Sequence, residues 1–299
     1  MNTFNKNSLL VRLKRHLIIK CVDFYSDKRY LEKIFPLFVG YPLNLDDPLT
    51  FNEKLQWLKL YDRREIYTTM VDKAEAKKYA ANIIGEQYII PTLGVWNSVD
   101  EIEWNKLPLQ FVVKSTNDCG GIVICKNKDN FDKIAAIKKL RKLGSRNYVK
   151  YNKEYPYKNV PHRFIAEQYM EDESGTELKD YKFFCFDGVP KFLFVATGRQ
   201  KGDTRFDFFD TDYNHLPVTN GHPLADTTPK KPMNFEEMLD IASKLSKGIP
   251  HVRVDLYNVN GNIYFGELTF FHWSGLVPFN PIDWDYIFGS YLHLPTKSK

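Results

Sequence analysis

Residues 252–271 read VRVDLYNVNGNIYFGELTFF. Two runs rich in Val, Leu, Tyr and Phe flank an Asn-Gly pair, which is the composition of two antiparallel strands joined by a tight turn. Asp255 interrupts the first run and Glu267 interrupts the second. Arg253 precedes Asp255 by two positions, and side chains two apart on a strand share a face. The stretch predicts a long hairpin with charged side chains among apolar ones.

The length of the turn decides whether the two carboxylates meet. A three-residue loop, Asn260 to Asn262, places Asp255 opposite Glu267, whereas a two-residue turn separates them unless a bulge intervenes. Two facing carboxylates repel each other unless a cation lies between them. Magnesium prefers oxygen ligands and accepts phosphates in its shell. We therefore expect a magnesium site, ahead of the alternative of a solvated face, because these carboxylates lie among apolar residues.

The composition is that of an ordinary globular protein. The 299 residues are 43% hydrophobic and 26% charged, which excludes a disordered chain. Aromatic residues make up 15%, a strand-favouring excess that argues against a helical bundle. Lys and Arg number 42 against 37 Asp and Glu, a net charge of +5. That charge permits a phosphate-rich ligand without demanding nucleic acid, so no nucleic-acid partner is expected.

The cysteines and the apolar runs favour a cytoplasmic protein. The four cysteines include no Cys-x-x-Cys pair, and reduced thiols are expected in a chain of this size. No apolar run approaches the roughly 20 residues that span a bilayer. Residues 1–20 mix charges into their apolar stretch, unlike a signal peptide.

The segment 8–35 is predicted to be helical. Leu9, Leu13 and Leu17 recur every four residues, with basic residues between them. One interpretation is a basic amphipathic helix that makes a peripheral contact with an anionic membrane through residues 8–20. The other is a helix whose leucine stripe docks on the protein body. We favour the second, because such docking explains most amphipathic helices.

Beyond this segment, helices come first and strands follow in two groups, each with one helix. A capping-box pair, Thr50 and Glu53, opens one predicted helix. Further helices are predicted at about 72–85, 130–143 and 235–248. Strands are predicted in LQFVVK, IVICK, RFIAEQYM, DYKFFCF and VPKFLFVAT. This order predicts α+β lobes rather than strict alternation of strand and helix.

Two further stretches suit a nucleotide. FVVKSTNDCGG (111–121) delivers Lys114 from a strand into a glycine-containing loop, where amides and an ammonium group can contact phosphate oxygens. Taken alone, the stretch fits a plain hairpin better. RFIAEQYM (163–170) runs from an apolar strand into an acidic turn, and it would line an apolar slot for a purine ring. An edge strand followed by a loop explains it equally well.

Together these stretches resemble the ATP-grasp superfamily. VDKAEAKKYAANIIGEQYIIPTLGVW (71–96) resembles its D-K-x-x-x-K helix and the extended Pro segment that follows. FVVKSTNDCGG resembles its lysine strand and phosphate loop, and FIAEQYM resembles its adenine hinge. VRVDLY and GELTFF resemble its R-x-D strand and its E-x-N strand.

More narrowly, the chain is similar to the TupA-like ATP-grasp family over about residues 30–295. The strings that carry this likeness are TFNEKLQWLKLYDR, KSTNDCGG, LKDYKFFCFDG, HVRVDLY and GELTFFHWSG. The resemblance implies an α+β ATP-grasp fold in which the nucleotide lies between two β-sheet lobes. It divides the chain into a helical N-terminal region (1–106), a small lobe with the phosphate loop (107–170) and a large lobe with the magnesium site (171–299).

The resemblance also implies the site residues and the ligands ATP and Mg²⁺. Residues expected to bind ATP are Lys73 and Lys114 (phosphates), Gly120 and Gly121 (loop closure), Glu167, Gln168, Tyr169 and Met170 (adenine), and Asp180 (ribose). Residues expected at the transferred phosphate and the acceptor are Lys182, Arg253, Arg199 and Arg205. Residues expected to hold Mg²⁺ are Asp255, Glu267 and Thr269. Thr269 stands where the superfamily has asparagine, and a hydroxyl is a weaker metal ligand than an amide oxygen.

The implied activity is that of an ATP-dependent carboxylate–amine ligase in bacterial surface-polysaccharide (capsule) and teichuronopeptide synthesis. ATP converts a carboxylate into an acyl phosphate, and an amine then displaces phosphate. The expected partners are a glycan or activated sugar that bears a carboxylate, and an amino acid or other amine. Two alternatives stay open: a phosphotransferase acting on a sugar hydroxyl, and a non-catalytic nucleotide-binding subunit of a polysaccharide assembly complex. The expected location is the cytoplasm, with the inner face of the membrane as an alternative.

Overall fold

A computed structural model describes residues 8–117, 122–143, 148–172, 175, 178–199 and 201–297. The helices in these ranges are α1 (Leu9–Lys20), α2 (Asp27–Val39), α3 (Phe51–Tyr61), α4 (Ile66–Val71), α5 (Glu75–Ile84), α6 (Lys133–Leu143), α7 (Tyr148–Asn152), α8 (Phe235–Ser246) and α9 (Asp283–Tyr291). The strands are β1 (Thr92–Trp96), β2 (Phe111–Ser115), β3 (Ile122–Cys125), β4 (Phe164–Gln168), β5 (Asp180–Phe186), β6 (Val189–Thr197), β7 (Arg205–Asp210), β8 (His215–Leu216), β9 (Val252–Val259) and β10 (Asn262–Thr269).

The strands form two antiparallel sheets, which confirms the predicted α+β class. The small sheet has the order β1-β4-β2-β3, and the large sheet has the order β10-β9-β5-β6-β7-β8. β1 pairs with β4, with Trp96 opposite Phe164. The small sheet therefore includes one strand, β1, from the segment 1–106.

The β9–β10 hairpin turns on two residues, Asn260 and Gly261, whose φ angles of 53° and 89° are left-handed. Such a turn alone would place Asp255 and Glu267 on opposite faces. The register shifts by one residue at Gly266, and this bulge brings Glu267 directly opposite Asp255. Of the two registers left open by the sequence, the chain adopts the two-residue turn with a bulge.

The large sheet is covered by helices on both faces. α8 packs on one face against β5, β6 and β9. On the other face, Phe51 of α3 lies 5.9 Å from Phe184, and Phe288 of α9 stacks on Phe192 at 3.6 Å between ring centroids. Alternate residues of a strand share a face, so Lys182 lies on the same face as Phe184. The charged residues of β5 thus lie beside an aromatic core.

Helix α6 covers one face of the small sheet. Phe111 and Val113 of β2 lie in a buried cluster with Leu140 of α6. Val112 and Lys114 alternate with these residues along β2 and therefore point away from α6. They line a cleft whose opposite wall is the large sheet.

The predicted helix 8–35 consists of two helices, α1 and α2. The chain turns between them, and Ser26 caps α2 by accepting a hydrogen bond from the Arg29 amide over 3.3 Å. The predicted capping box of α3 is confirmed, since Thr50 and Glu53 satisfy each other's backbone amides.

The leucine stripe of α1 does not dock on the protein body, so that expectation is wrong. Leu9, Leu13 and Leu17 are 73%, 53% and 61% exposed. α1 packs on α2 through a different face, which includes Ile18 and Ile19. No described helix combines the length and apolar character needed to cross a bilayer.

Candidate functional site

A cavity of about 260 Å³ lies between the two sheets. Its apolar lining consists of Ile90, Val112, Ile122, Ile124 and Leu178. Six of the nine residues expected to bind ATP also line it: Lys114, Glu167, Gln168, Tyr169, Met170 and Asp180. Arg199 and Tyr257 complete the wall. An apolar slot with a few polar groups at its edge is the usual form of a small-molecule site.

A row of charged side chains crosses three strands of the large sheet beside this cavity. Glu267 on β10 lies opposite Asp255 on β9, and Asp255 lies opposite Lys182 on β5. Directly opposed residues point to the same face of a sheet. The Lys182 ammonium donates to Oδ2 of Asp255. The bulge at Gly266 is therefore what brings Glu267 into the row.

Arg253 links the two carboxylates of the row. Its Nε and Nη2 atoms donate to Oδ1 and Oδ2 of Asp255 over 2.7 and 2.8 Å. Nη2 also donates to the Thr269 hydroxyl over 3.0 Å and lies 3.5 Å from Oε1 of Glu267. Thr269 in turn donates to Oε1 of Glu267 over 3.4 Å. The cation between the facing carboxylates is thus this guanidinium.

The two carboxylates of the row differ in their protonation equilibria. Burial would raise the pKa of Glu267, but nearby cations, Lys73 foremost, outweigh burial and lower the pKa to about 2. At Asp255 burial prevails and raises the pKa despite the adjacent Arg253. The Glu267 side chain is 38% exposed, and its contact with Lys73 is long, at 3.9 Å. Glu267 is therefore a charged carboxylate with room for another ligand.

Asp180 is buried, and its two oxygens differ in their contacts with the described residues. Oδ2 pairs with the guanidinium of Arg199 and lies 3.4 Å from Nζ of Lys182. Burial opposes ionisation, yet these two cations lower the pKa of Asp180. Oδ1 is buried and has no hydrogen-bond partner among the described residues. An unpaired buried acceptor costs free energy, so the hydrogen-bonding capacity of Oδ1 is unmet in this arrangement, and Asp180 is one of the residues that line the cavity.

Glu167 holds two lysines on the opposite wall. Nζ of Lys114 lies 2.6 Å from Oε2, and Nζ of Lys77 lies 2.6 Å from Oε1. Burial would raise the pKa of Glu167, but the two ammonium groups lower it to about 2. Lys77 also donates to the Ile90 carbonyl over 2.6 Å. Our sequence analysis missed Lys77, although it is the second lysine of the D-K-x-x-x-K string.

Lys73 lies in the turn between α4 and α5. Asp72 shapes this turn, because its Oδ1 accepts a hydrogen bond from the Ala74 amide over 2.9 Å. Its Oδ2 accepts one from Arg163 over 2.7 Å. The turn brings the Lys73 ammonium to the cleft, 3.9 Å from Oε2 of Glu267.

His272 is a second residue that the sequence analysis did not assign. Its Nδ1 lies 2.7 Å from Nη1 of Arg253, and its Nε2 lies 2.9 Å from Oδ1 of Asn220. Burial, together with the charge of Arg253, lowers the pKa of His272 well below its ordinary value. A neutral ring accepts from the guanidinium at Nδ1 and donates to Asn220 at Nε2. His272 therefore positions Arg253, and no local sequence pattern marks that role.

Three of the expected residues are not among those described in this cluster, for two different reasons. Gly120 and Gly121 lie outside the described residues. Arg205 pairs with the carboxylate of Asp203 over 3.0 and 3.1 Å and donates to the Leu224 carbonyl. The structure does not bring the Arg205 side chain to the cleft.

The two carboxylates of the row suit a magnesium ion whose remaining ligands come from a bound phosphate group. In the ranges that the structure describes, no group of three or more His, Cys, Asp or Glu side chains is arranged to hold a metal ion. Asp255 and Glu267 nevertheless offer two carboxylates from neighbouring strands. Magnesium is commonly bound by one or two carboxylates together with substrate phosphates. These residues therefore fit an ion that arrives with a triphosphate.

A family model described as TupA-like ATPgrasp matches residues 53–293, which is more than half of the chain. The chain belongs to the TupA-like ATP-grasp family. Membership confirms the predicted ATP-grasp fold, in which the two antiparallel sheets are the two lobes.

Solved structures similar to this TupA-like protein include three ligases or synthetases. The D-alanine–D-alanine ligase from Helicobacter pylori is 16% identical, with a TM-score of 0.44 over 81% of this chain and 69% of that chain. D-cycloserine synthetase DcsG is 18% identical, with a TM-score of 0.42 over 75% and 69%. The Bacillus anthracis D-alanine–D-alanine ligase complexed with ATP is 15% identical, with a TM-score of 0.40 over 67% and 53%. This chain spans about half the length of the Bacillus anthracis ligase. The search of curated proteins found no match to this chain.

Proposed function

We propose that this TupA-like ATP-grasp protein is an ATP-dependent carboxylate–amine ligase that binds ATP between its two sheets. The observation that carries the proposal is the meeting, in one cleft, of an apolar cavity, a row of charged groups and the buried Asp180, whose Oδ1 has no partner in the described part of the chain. A purine needs an apolar slot, a ribose needs an acceptor, and a triphosphate needs cations. The cleft offers all three.

The adenine ring would lie in the apolar part of the cavity, against residues 167–170. The amide of Gln168 already donates to the Pro91 carbonyl over 3.0 Å. The next backbone groups, at Tyr169 and Met170, would therefore meet the polar edge of the ring. Oδ1 of Asp180 would accept a hydrogen bond from a ribose hydroxyl.

The triphosphate would contact the cations that converge beyond the ribose. Lys114 and Lys182 come from the two facing sheets, Lys73 comes from the α4–α5 turn, and Arg253 lies between Asp255 and Glu267. Asp255 and Glu267 would hold Mg²⁺, which neutralises charge on the phosphates when bound. Thr269 would orient Glu267, to which it donates a hydrogen bond.

The chemistry that this arrangement favours is phosphorylation of a carboxylate followed by displacement with an amine. A carboxylate is a poor electrophile at neutral pH because it lacks a leaving group. Its oxygen would attack the γ-phosphorus of ATP, giving an acyl phosphate and ADP. An amine would then attack the acyl carbon. The bond between that carbon and the bridging oxygen would break, and phosphate would leave. Lys182 and Arg253 would act by positioning and by neutralising charge, which are the main sources of catalysis in phosphoryl transfer.

The proposed acceptors are a uronic-acid-type carboxylate on a surface-polysaccharide precursor in the cytoplasm, and an amino acid. Arg199, 55% exposed at the side chain, offers a guanidinium at the rim of the cavity. Trp273, 42% exposed, has its ring centroid 5.8 Å from that of His222 and 6.2 Å from that of Phe206. A guanidinium for a carboxylate and an aromatic face for a sugar ring support this acceptor class.

Incubation of the purified protein with ATP, Mg²⁺, a uronate-bearing glycan and mixed amino acids tests the proposal. ADP formed in equal amount with a new amide supports the ligase. ADP with a phosphorylated sugar identifies a phosphotransferase instead. If no ADP forms, the result favours a non-catalytic nucleotide-binding subunit.

A further inference from the structure

Helix α1 is held to the protein by one face. Ile18 and Ile19 pack against the buried cluster that α2 contributes to. Nε of Arg15 donates to the Leu37 carbonyl over 2.9 Å, and its guanidinium lies 4.3 Å from the centre of the Phe38 ring. These contacts fix the rotation of α1 about its own axis, so the direction of its other face is defined.

The opposite face carries four exposed leucines. Leu9, Leu10, Leu13 and Leu17 are 73%, 64%, 53% and 61% exposed. With 3.6 residues per turn, these positions cover a stripe of roughly 100°. Isolated exposed apolar residues are ordinary on a protein surface, but a contiguous stripe marks a surface that binds something.

Basic residues border this leucine stripe, and acidic residues are absent from the sequence between residues 8 and 22. On the helical projection, Lys14 lies beyond Leu10 on one edge, and Arg12 lies on the other edge. Lys20 ends the helix, and all three basic residues are exposed. An apolar stripe with cationic borders complements a surface that is apolar inside and anionic outside.

We propose that α1 binds an anionic membrane surface, with its leucine stripe in the boundary between headgroups and acyl chains. Arg12, Lys14 and Lys20 would then contact lipid phosphates. The 12-residue helix is too short to span a bilayer, so it would lie in the plane of the interface. A second copy of the chain is a poorer occupant, because stacking two such stripes would bring their cationic borders together. The proposal does not depend on the ligase activity.

Sedimentation of the full-length protein with lipid vesicles tests the proposal. Vesicles of phosphatidylcholine alone are compared with an equal mixture of phosphatidylcholine and phosphatidylglycerol. The stripe variant carries Ser in place of Leu9, Leu10, Leu13 and Leu17. We expect its affinity for the mixed vesicles to fall at least about tenfold, since the apolar area available for burial is lost.

A matched control variant replaces four exposed apolar residues elsewhere with serine. These are Leu49, Leu109, Ile134 and Met233, which are exposed to a similar degree. The control variant is expected to bind the mixed vesicles as the natural chain does. The substituted leucines of α1 are already exposed, so circular dichroism and the thermal unfolding midpoint of the stripe variant should match those of the natural chain.

A charge variant with Arg12→Gln, Lys14→Gln and Lys20→Gln measures the electrostatic contribution to vesicle binding. Its affinity for the mixed vesicles should fall by about fivefold per charge removed, while binding to phosphatidylcholine alone stays unchanged. The proposal is overturned if the natural chain does not sediment with mixed vesicles, or if it binds both kinds of vesicle equally. It is also overturned if the stripe variant abolishes a lipid-independent dimer in analytical ultracentrifugation, which would identify a second copy as the occupant.

Discussion

Glu167 and Glu267 face the same cleft from opposite sheets, and nearby cations lower the pKa of each to about 2. Their surroundings nevertheless differ. Glu167 is almost completely buried, and each of its oxygens has a lysine 2.6 Å away. Glu267 is 38% exposed, and its cationic neighbours lie 3.5 and 3.9 Å from it. Both oxygens of Glu167 are therefore occupied by close ion pairs with the protein, whereas the oxygens of Glu267 can still bind a further cation.

This difference separates two uses of the same side chain. A saturated carboxylate fixes the positions of the lysines that it binds, so Glu167 acts on a ligand through Lys77 and Lys114. An unsaturated carboxylate can contact a ligand itself, which is the role proposed for Glu267 with Mg²⁺. Asp180 combines both, since one oxygen pairs with protein cations and the other has no partner among the described residues.

The largest effect is expected for Glu267→Gln. The substitution keeps the shape of the side chain and removes the charge that would hold Mg²⁺. We expect ATP turnover to fall by about a thousandfold, the upper range for losing one preorganised electrostatic contact. Because the side chain is partly exposed and loosely bonded, the thermal unfolding midpoint should barely change. ADP release and thermal unfolding are the two measurements.

Glu32→Gln is the matched control for this variant, because Glu32 is an exposed residue of α2 that pairs with the exposed Lys28. It should leave ADP release unchanged. Normal ADP release by the Glu267→Gln variant would refute the metal assignment, and a large drop in its unfolding midpoint would show that Glu267 is a structural residue like Glu167.

The next effect is expected for Asp180→Asn. A lost hydrogen bond to a charged acceptor is worth about 1.5–3 kcal/mol, so KM for ATP should rise by about 10- to 100-fold while kcat changes less. The 2′-deoxy and 3′-deoxy analogues of ATP sharpen the test. The natural chain should discriminate against one of them, and the variant should not. Equal discrimination by both proteins would exclude Asp180 as the ribose acceptor.

Glu167→Gln should reduce ATP turnover less than Glu267→Gln and reduce stability more. Lys77 would lose its carboxylate while buried, and the lowered pKa of Glu167 corresponds to about 3 kcal/mol of folding free energy. We expect the unfolding midpoint to fall by several degrees, with turnover reduced about tenfold through misplaced lysines. An unchanged midpoint would contradict the structural role.

The pH dependence of stability checks the same contrast. The folded pKa of Glu167 lies below its unfolded value, so the unfolded chain binds more protons between about pH 4.5 and 2. Its contribution is complete above that window and is lost as the pH falls through it. Glu167→Gln should flatten the stability curve in this window. Glu267→Gln should flatten it less, because solvent screens a group that is 38% exposed.

Features of the fold and of the site could be predicted from the sequence where they depend on residues close together in the chain. The capping box of α3, the strands DYKFFCF and VPKFLFVAT and the lysine strand β2 are short patterns, and they form as predicted. The opposition of Asp255 and Glu267 depends on a bulge that a three-residue turn would have made unnecessary. Both alternatives were visible, and only the backbone pairing decides between them.

Features that depend on distant contacts were missed or predicted wrongly. Lys77 and His272 take their roles from Glu167 and Arg253, which lie far away in the chain. The leucines of α1 form a genuine stripe, but periodicity identifies an apolar face without saying what covers it. The helix docks through the neighbouring positions of Ile18 and Ile19 instead.

The smallest effect is expected for Arg205→Gln. Its comparison with Arg199→Gln tests which of the two arginines contributes to the site. Arg205 lies opposite Thr197 on β6, whereas Asp180 lies opposite the next residue, Ala196. Successive residues of a strand point to opposite faces, so the Arg205 side chain starts on the face of the large sheet away from Asp180. Arg199 pairs with Asp180 and lines the cavity.

We therefore expect Arg205→Gln to leave KM for ATP and kcat within about twofold, as for a surface substitution far from a site. Arg199→Gln should raise KM for ATP several-fold, because Asp180 loses the guanidinium paired with its Oδ2. Steady-state kinetics with both variants checks the pair. A loss of amide formation by Arg205→Gln with normal ATP binding would mean that the acceptor reaches the far face of the sheet. That outcome would move the acceptor site away from the cleft in which Asp180, Lys182 and Glu267 meet.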